Sequence, residues 1–376
     1  MKIIWTFTLL MIPDVLSSIS VTGYSGGGVT ITFKYNKAYE TDEKYLCKGE
    51  GSECKVQIRM EAKHQWVQSG RFSLYDNTTA GVFTVTIRDL TEQDSGIYYC
   101  GTEVYGPDPK TKVNLKVITE FRNQVNTNSG KVRGYSGGNI TIDYKYEEKH
   151  KNREKLVCKS GEHQCATLIS ISRSEEWKHS SRFSIHDDRS AGLLRVFIRE
   201  MNVHDSGEYR IIERVSEDYS LFSEFELVIT HAACCQKSIS LSAAAGGSVN
   251  ISCKYPQSHT ADVKFICRRS GADLCAEETR SEEESGGRKA EGKIRLYDDR
   301  EEQLLTATIS HESPEHSAEY WCGVQSAGHK SFITRVIISF TDADVSDTTS
   351  SSPSSSSPSS SSSVVESPLQ TMCVRK

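Results

Sequence analysis

The residues of this 376-residue chain best equipped for covalent chemistry are its twelve cysteines, and their spacing sorts them. Cys47 with Cys54, Cys158 with Cys165, and Cys267 with Cys275 form three close pairs that recur along the chain. Thiols so placed either hold a metal or oxidise to disulfides. Structural zinc needs four converging Cys or His ligands. Each recurrence offers two, so the pairs read as short disulfides made in an oxidising compartment. Cys234 and Cys235 are adjacent; they either pin an incoming strand or bridge to another chain, and Cys373 joins them as an unassigned thiol. No metal or cofactor is implied.

Carboxylate clusters are the next place to look for chemistry. Glu282-Glu283-Glu284 sits in a Ser/Gly-flanked segment, and Asp187-Asp188 occupies a strand-end position shared with Asp76 and Asp298. Solvated loop charge and hairpin chemistry account for both. Tyr219-Ser220-Leu221-Phe222 mimics a phosphotyrosine signal but reads as strand. The chain carries no nucleophile elbow, zinc-protease helix, phosphate loop or dinucleotide fingerprint, so a non-catalytic protein is expected. The formal net charge of −5, with Lys and Arg interleaved among Asp and Glu, gives no footprint for nucleic acid.

The elements that position these residues repeat. Gly23-Tyr24-Ser25-Gly26-Gly27 returns as Gly134-Tyr135-Ser136-Gly137-Gly138, and Trp66 matches Trp177 at the same spacing of 111 positions. A third copy places Cys267, Cys275 and Tyr320 correspondingly. A unit of about 110 residues is one independently cored domain, so the chain reads as a string of beads with function on bead surfaces. Within each unit short stretches alternate: Val29, Ile31, Phe33 and Tyr35 share one face, as do Ile140, Ile142, Tyr144 and Tyr146, and Val249, Ile251, Cys253 and Tyr255. Period two argues for antiparallel strands.

The termini address the chain. Lys2, the apolar run Ile3 to Ile12 and small residues Ser17, Ser18 and Ser20 read as a signal peptide over 1–18. Sequons at Asn77, Asn139 and Asn250 fit a secretory path and mark candidate N-glycosylation sites. Residues 342–376 are rich in Ser, Thr and Pro, a composition expected to be disordered and open to O-glycosylation. No apolar stretch has the roughly 20 residues a membrane span needs, so the chain is expected to be extracellular without a span of its own.

Asp94-Ser-Gly96-Ile-Tyr98-Tyr-Cys100 recurs as Asp205-Ser-Gly207-Glu-Tyr209 and more loosely as His316-Ser-Ala318-Glu-Tyr320-Trp-Cys322. This D-x-G-x-Y-x-C pattern resembles the tyrosine corner of immunoglobulin-type sandwiches. With the Gly-Gly openings and the short cysteine pairs after Lys44-Tyr45-Leu46 and Lys264-Phe265-Ile266, it resembles the polymeric immunoglobulin receptor and its leukocyte relatives. The resemblance implies an all-β protein: three tandem V-type β-sandwiches at 19–118, 119–230 and 231–341. It implies clamps between Arg71 and Asp94 and between Arg182 and Asp205, with Lys293 and His316 a weaker third. It also implies an inter-sheet disulfide, for which only the third unit has both ends, Cys253 and Cys322. Phe33 leaves Cys100 without a partner, as a buried, inert thiol, and Tyr144 and Ile211 replace both cysteines in the second unit. Leu46, Val157 and Ile266 stand where the family has a core Trp. Losing such a staple costs about 2–5 kcal/mol, so the first two units are expected to be less stable than the third.

Sandwiches of this type bind through loops clustered at one end. The candidates in the first unit are Asn36, Tyr39, Glu40 and Asp42 in one loop and Val104 and Tyr105 in another; Glu147 to Arg153 is the matching loop of the second unit. By resemblance, the chain is a surface-receptor ectodomain or its soluble form. Its partners would be polymeric immunoglobulin, another surface protein or anionic lipid head groups. Adhesion through homophilic contacts and an inert decoy are the alternatives.

Overall fold

The computed structural model describes residues 18–61, 65–105, 107–119, 130–161, 165–244, 246–270, 273–281, 288–291, 294–310 and 318–341. Residues 1–17, Glu282–Glu284, Lys293, His316 and Cys373 lie outside the described residues.

The first sandwich comprises β1 (Ser18–Tyr24), β2 (Gly28–Lys34), β3 (Lys44–Lys48), β4 (Lys55–Met60), β5 (Trp66–Ser69), β6 (Phe72–Asn77), β7 (Val82–Ile87), β8 (Gly96–Thr102) and β9 (Lys110–Ile118). The second runs β10 (Lys131–Tyr135), β11 (Asn139–Lys145), β12 (Glu154–Ser160), β13 (Cys165–Ile171), β14 (Trp177–Ser180), β15 (Phe183–Asp188), β16 (Leu193–Ile198), β17 (Gly207–Arg214) and β18 (Tyr219–Thr230). The third runs β19 (Ser238–Ala244), β20 (Ser248–Lys254), β21 (Val263–Ser270), β22 (Asp273–Arg280), β23 (Arg288–Glu291), β24 (Ile294–Asp299), β25 (Leu304–Ser310), β26 (Ala318–Ser326) and β27 (His329–Thr341).

The alternation seen in the sequence sets which face is buried. Val29, Ile31 and Phe33 of β2 are in the first core, with the Phe33 ring stacked on Phe83 at 5.0 Å, and Tyr35 packs against that core. Ile140, Ile142 and Tyr144 do the same in the second, and Val249, Ile251 and Cys253 in the third. Leu46, Val157 and Ile266 are buried where a larger aromatic was the family norm. Cys47 is joined to Cys54, Cys158 to Cys165, and Cys253 to Cys322. Cys267 and Cys275 lie on the facing strands β21 and β22 and pack with Phe265, Trp321 and Phe332.

The sandwiches are not separate beads. One nine-stranded sheet runs β13-β12-β17-β18 of the second sandwich straight into β2-β7-β6-β5 of the first. Another runs β14-β15-β16-β11 of the second into β27-β26-β21-β22 of the third. The cause is an edge and an extension. Within their own sandwiches β2 and β11 are the edge strands, whose outer backbone groups would otherwise go unpaired, and the last strand of the next sandwich is long enough to reach them: β18 has 12 residues and β27 has 13, against 9 for β9. Cores mix accordingly. Val215 and Leu221 of the second sandwich belong to the first core, and Tyr135 belongs to the third.

Candidate ligand interface

The first sandwich's free end is a rim of two loops fastened to each other. Asn36 caps the 3-10 turn Lys37–Tyr39 by accepting from the Ala38 N–H at 2.9 Å. Beneath the turn Lys44, although charged, is buried; its Nζ donates to the carbonyl oxygens of Tyr39 at 2.9 Å and Asp42 at 2.6 Å. Nζ also lies 3.3 Å from Asp76 and 4.4 Å from the centre of the Tyr35 ring, while the Tyr35 hydroxyl donates to Asp76 at 2.6 Å. The charge is thus paired and its remaining protons are spent on loop carbonyls, the condition under which burial of an ion is tolerable.

The second loop is tied to the first. The Tyr45 hydroxyl donates to Asp108 at 2.9 Å, and Asp108 also accepts the Val104 N–H at 3.1 Å. Burial first, then Asp108, raises Tyr45 above its ordinary range, so it stays a neutral donor. Glu103 N–H donates to the Glu43 carbonyl at 2.9 Å, and Arg59 bridges both side chains at 3.1 and 2.9 Å. On this frame Tyr105 stands wholly exposed, Glu40 is exposed, and Tyr39 and Asp42 are half-buried.

The Lys–Asp–Tyr set recurs in every sandwich. Lys155 lies 3.0 Å from Asp187, which accepts the Tyr146 hydroxyl at 2.7 Å. Lys264 lies 3.2 Å from Asp298, which accepts the Tyr255 hydroxyl at 2.7 Å. All three aspartates are buried, so the strand-end position read as hairpin chemistry at Asp76, Asp187 and Asp298 holds a buried ion pair. Each sits near the end of a strand, β6, β15 or β24, in the sheet facing the lysine's strand, with its side chain turned inward to meet the lysine. Asp188, accepting from Ser190 and the Ala191 N–H, is the surface member. The signal was present in the sequence as a charged lysine three residues before each first cysteine, in register with the repeat.

At the opposite end of the first two sandwiches the clamps form. Arg71 grips Asp94 with two bonds of 2.8 and 2.7 Å, and Arg182 grips Asp205 with two of 2.7 Å. Tyr98 and Tyr209 donate to the Asp94 and Asp205 carbonyl oxygens at 2.8 and 2.6 Å; Tyr320 is buried at the matching place. Burial alone would raise both carboxyls, but the guanidinium forks and the backbone N–H groups outweigh it and hold them below the usual range.

The structure bears on four further expectations. Cys234 and Cys235 are joined to each other in a turn closed by Cys235 N–H to Ala232 O. Asn139 is buried within β11, its Oδ1 accepting the Glu200 N–H at 3.0 Å, and offers no exposed acceptor for a glycan; Asn77 is half-buried and Asn250 exposed. Glu147 to Arg153 is a joint, not a free rim. Its His150 is buried, with Nδ1 2.7 Å from Glu213, and the ring of Tyr24 from the first sandwich meets it edge-on at 6.1 Å. The next joint repeats this: Tyr135 bonds His259 Nε2 at 2.5 Å while His259 Nδ1 meets Asp262 at 2.6 Å. The tyrosine of each Gly-Tyr-Ser-Gly-Gly opening is therefore a joint pin, which the sequence reading missed. Finally, Cys100 is free and buried, and burial pushes it well above its ordinary range.

Antiparallel sandwiches with a tyrosine corner, an Arg–Asp clamp and loops gathered at a free end define the V-type immunoglobulin class. The chain belongs to the immunoglobulin V-set domain family, whose model matches residues 17–118 and 236–340. The resemblance to the polymeric immunoglobulin receptor holds: the mouse receptor (Mus musculus) is 24% identical over 309 residues, 79% of this chain and 39% of the relative. Mouse CMRF35-like molecule 3 is 33% identical over 113 residues, 30% of this chain and 46% of the relative. Mouse CMRF35-like molecule 1 is 36% identical over 98 residues, 26% of this chain and 29% of the relative. The chain thus spans well under half the length of the receptor it matches. Among the described residues no helix is long and apolar enough to cross a membrane.

Proposed function

We propose that this is a non-catalytic, extracellular recognition protein of the immune-receptor type, binding a protein partner through the rim of its first sandwich. The observation that carries the reading is Tyr105, wholly exposed on a loop that Asp108, Glu103 and Arg59 hold in place. A rigid loop presenting one aromatic is how interfaces obtain an anchor at low entropic cost. The rim carries Glu40, Asp42, Glu43, Glu103 and Asp108 against Lys37, Arg59 and Lys110, a balance that favours a protein with a basic face over anionic lipid head groups. The name of the mouse relative makes polymeric immunoglobulin the first ligand to try.

Surface plasmon resonance of the full chain against polymeric immunoglobulin, with anionic vesicles in parallel, tests this. Tyr105→Ala is expected to weaken saturable protein binding about 30-fold, the size of a hot-spot truncation near 2 kcal/mol. Saturable binding to vesicles alone, or protein binding indifferent to Tyr105, sinks the reading. Self-association with neither ligand bound would favour adhesion.

A further inference from the structure

Both joints bury the same patch of the preceding sandwich. Tyr219–Phe222 of β18 pair with Gly28–Ile31 of β2, and His329–Phe332 of β27 pair with Asn139–Ile142 of β11. Approach is so close that a Cβ on Gly28 would lie 2.1 Å from the Phe222 ring, and one on Gly138 2.2 Å from the Phe332 carbonyl oxygen. The outward residues of β11 are consequently covered, Asn139 being 3% and Thr141 7% exposed. The matching strand of the third sandwich is β20. It ends its four-stranded sheet, with no partner on its outer edge among the described residues. Its outward residues Ser248, Asn250, Ser252 and Lys254 are all exposed. Tyr297, where the second sandwich packs His186 under Trp177 at 4.3 Å, is 42% exposed.

We propose that this third face is closed by an N-linked glycan on Asn250, which keeps the β20 edge from pairing with the β20 edge of a second copy. Three observations converge on it. Asn250-Ile251-Ser252 is a sequon whose asparagine is exposed, with Oδ1 rather than Nδ2 accepting the Thr308 hydroxyl at 2.8 Å. Asn250 occupies the place of Thr30 and Thr141, the residues set opposite the docking strand at the two joints. And the outward face of the matching sheet in the second sandwich, with Trp177 and Phe197, packs against Phe265, Trp321 and Phe332 of the third, so a sugar on outward-facing Asn250 stands on the face that a following sandwich covers elsewhere.

The danger guarded against is specific. Edge pairing uses main-chain N–H and C=O groups, and among the outward residues of β20 only Lys254 carries a charge that opposes it. Head-to-tail docking by the first sandwich of a second copy is closed, because β9 starts only at Lys110. Thr102 N–H donates to the Pro109 carbonyl, and Pro109 has no N–H to return, so the β8–β9 hairpin cannot lengthen to the reach of β18 or β27. What remains is two β20 edges pairing antiparallel about a two-fold axis. Pairing centred on Ile251 would bring both Asn250 residues to one face beside the axis, where two glycans cannot be accommodated. The modification is an ordinary transfer from a lipid-linked oligosaccharyl diphosphate: the sugar C1–O bond breaks, a C1–Nδ2 bond forms, Nδ2 gives up one proton, and the lipid diphosphate departs.

The test uses the full chain secreted from a glycosylating host. Glycopeptide mass spectrometry should find Asn250 occupied and Asn139 bare. By sedimentation velocity the wild type and Ser252→Thr, which keeps the sequon, should remain monomeric. Asn250→Gln and Ser252→Ala should shift toward twice the monomer mass as concentration rises, with thermal unfolding unchanged. An unmodified Asn250 in the wild type, or sequon-less variants as monomeric as the wild type, overturns the proposal.

Discussion

A charged lysine inside each sandwich is the residue-scale oddity. Lys155 is flanked by Asp187, the Tyr146 ring 3.9 Å from its Nζ, and the Arg153 carbonyl at 3.4 Å. Desolvation pulls its pKa down while Asp187 pulls it up, and the first effect wins. Asp187→Asn keeps an acceptor for Tyr146 but strips the lysine of its countercharge. We expect it to destabilise the protein by about 3–5 kcal/mol, whereas Lys155→Met combined with Asp187→Asn should recover most of that. Urea titration followed by tryptophan fluorescence measures both; equal losses in single and double variants would mean the ion pair is not the cause. The Arg–Asp clamps were legible because their partners flank a recognisable local motif. The lysine sets were not, since Lys44 and Asp76 lie on different sheets and only folding reveals that an aspartate beside a hairpin turns inward.

At the scale of elements, alternation told which residues of β2, β11 and β20 face the core, because period two is a property of one strand alone. It could not tell what lies across their edges, which depends on the length of a strand nearly 200 residues away. The joint pins follow from the same limit: Tyr24 and Tyr135 read only as members of a repeated opening until His150 and His259 are placed against them. Tyr135 is almost wholly buried in the third core while belonging to the second sandwich. Tyr135→Ala removes a ring from that core and the bond to His259. The expected cost is about 3 kcal/mol, concentrated at the joint. Hydrogen exchange should quicken in Asn139–Ile142 and His329–Phe332, and small-angle scattering should report a larger radius of gyration. Exchange unchanged across those two segments would show the pairing to be held without the tyrosine.

For the molecule as a whole, the continuous sheets mean that the third sandwich's staple supports more than the third sandwich. The Cys253–Cys322 bond fixes β20 to β26; β26 pairs along its length with β27, and β27 carries the segment docked on β11. Removing the bond by Cys253→Ala with Cys322→Ala should cost about 2–5 kcal/mol. If the sandwiches were independent, faster exchange would stay within β20, β25, β26 and β27. Shared sheets instead predict that protection also falls in Asn139–Ile142, because their partners fray with β27. The β3–β4 hairpin of the first sandwich, pinned by Cys47–Cys54 and two sheets removed, should keep its protection and serve as the internal reference. Loss confined to the third sandwich would show that each unit holds its own stability and that the strand joints are contacts without coupling.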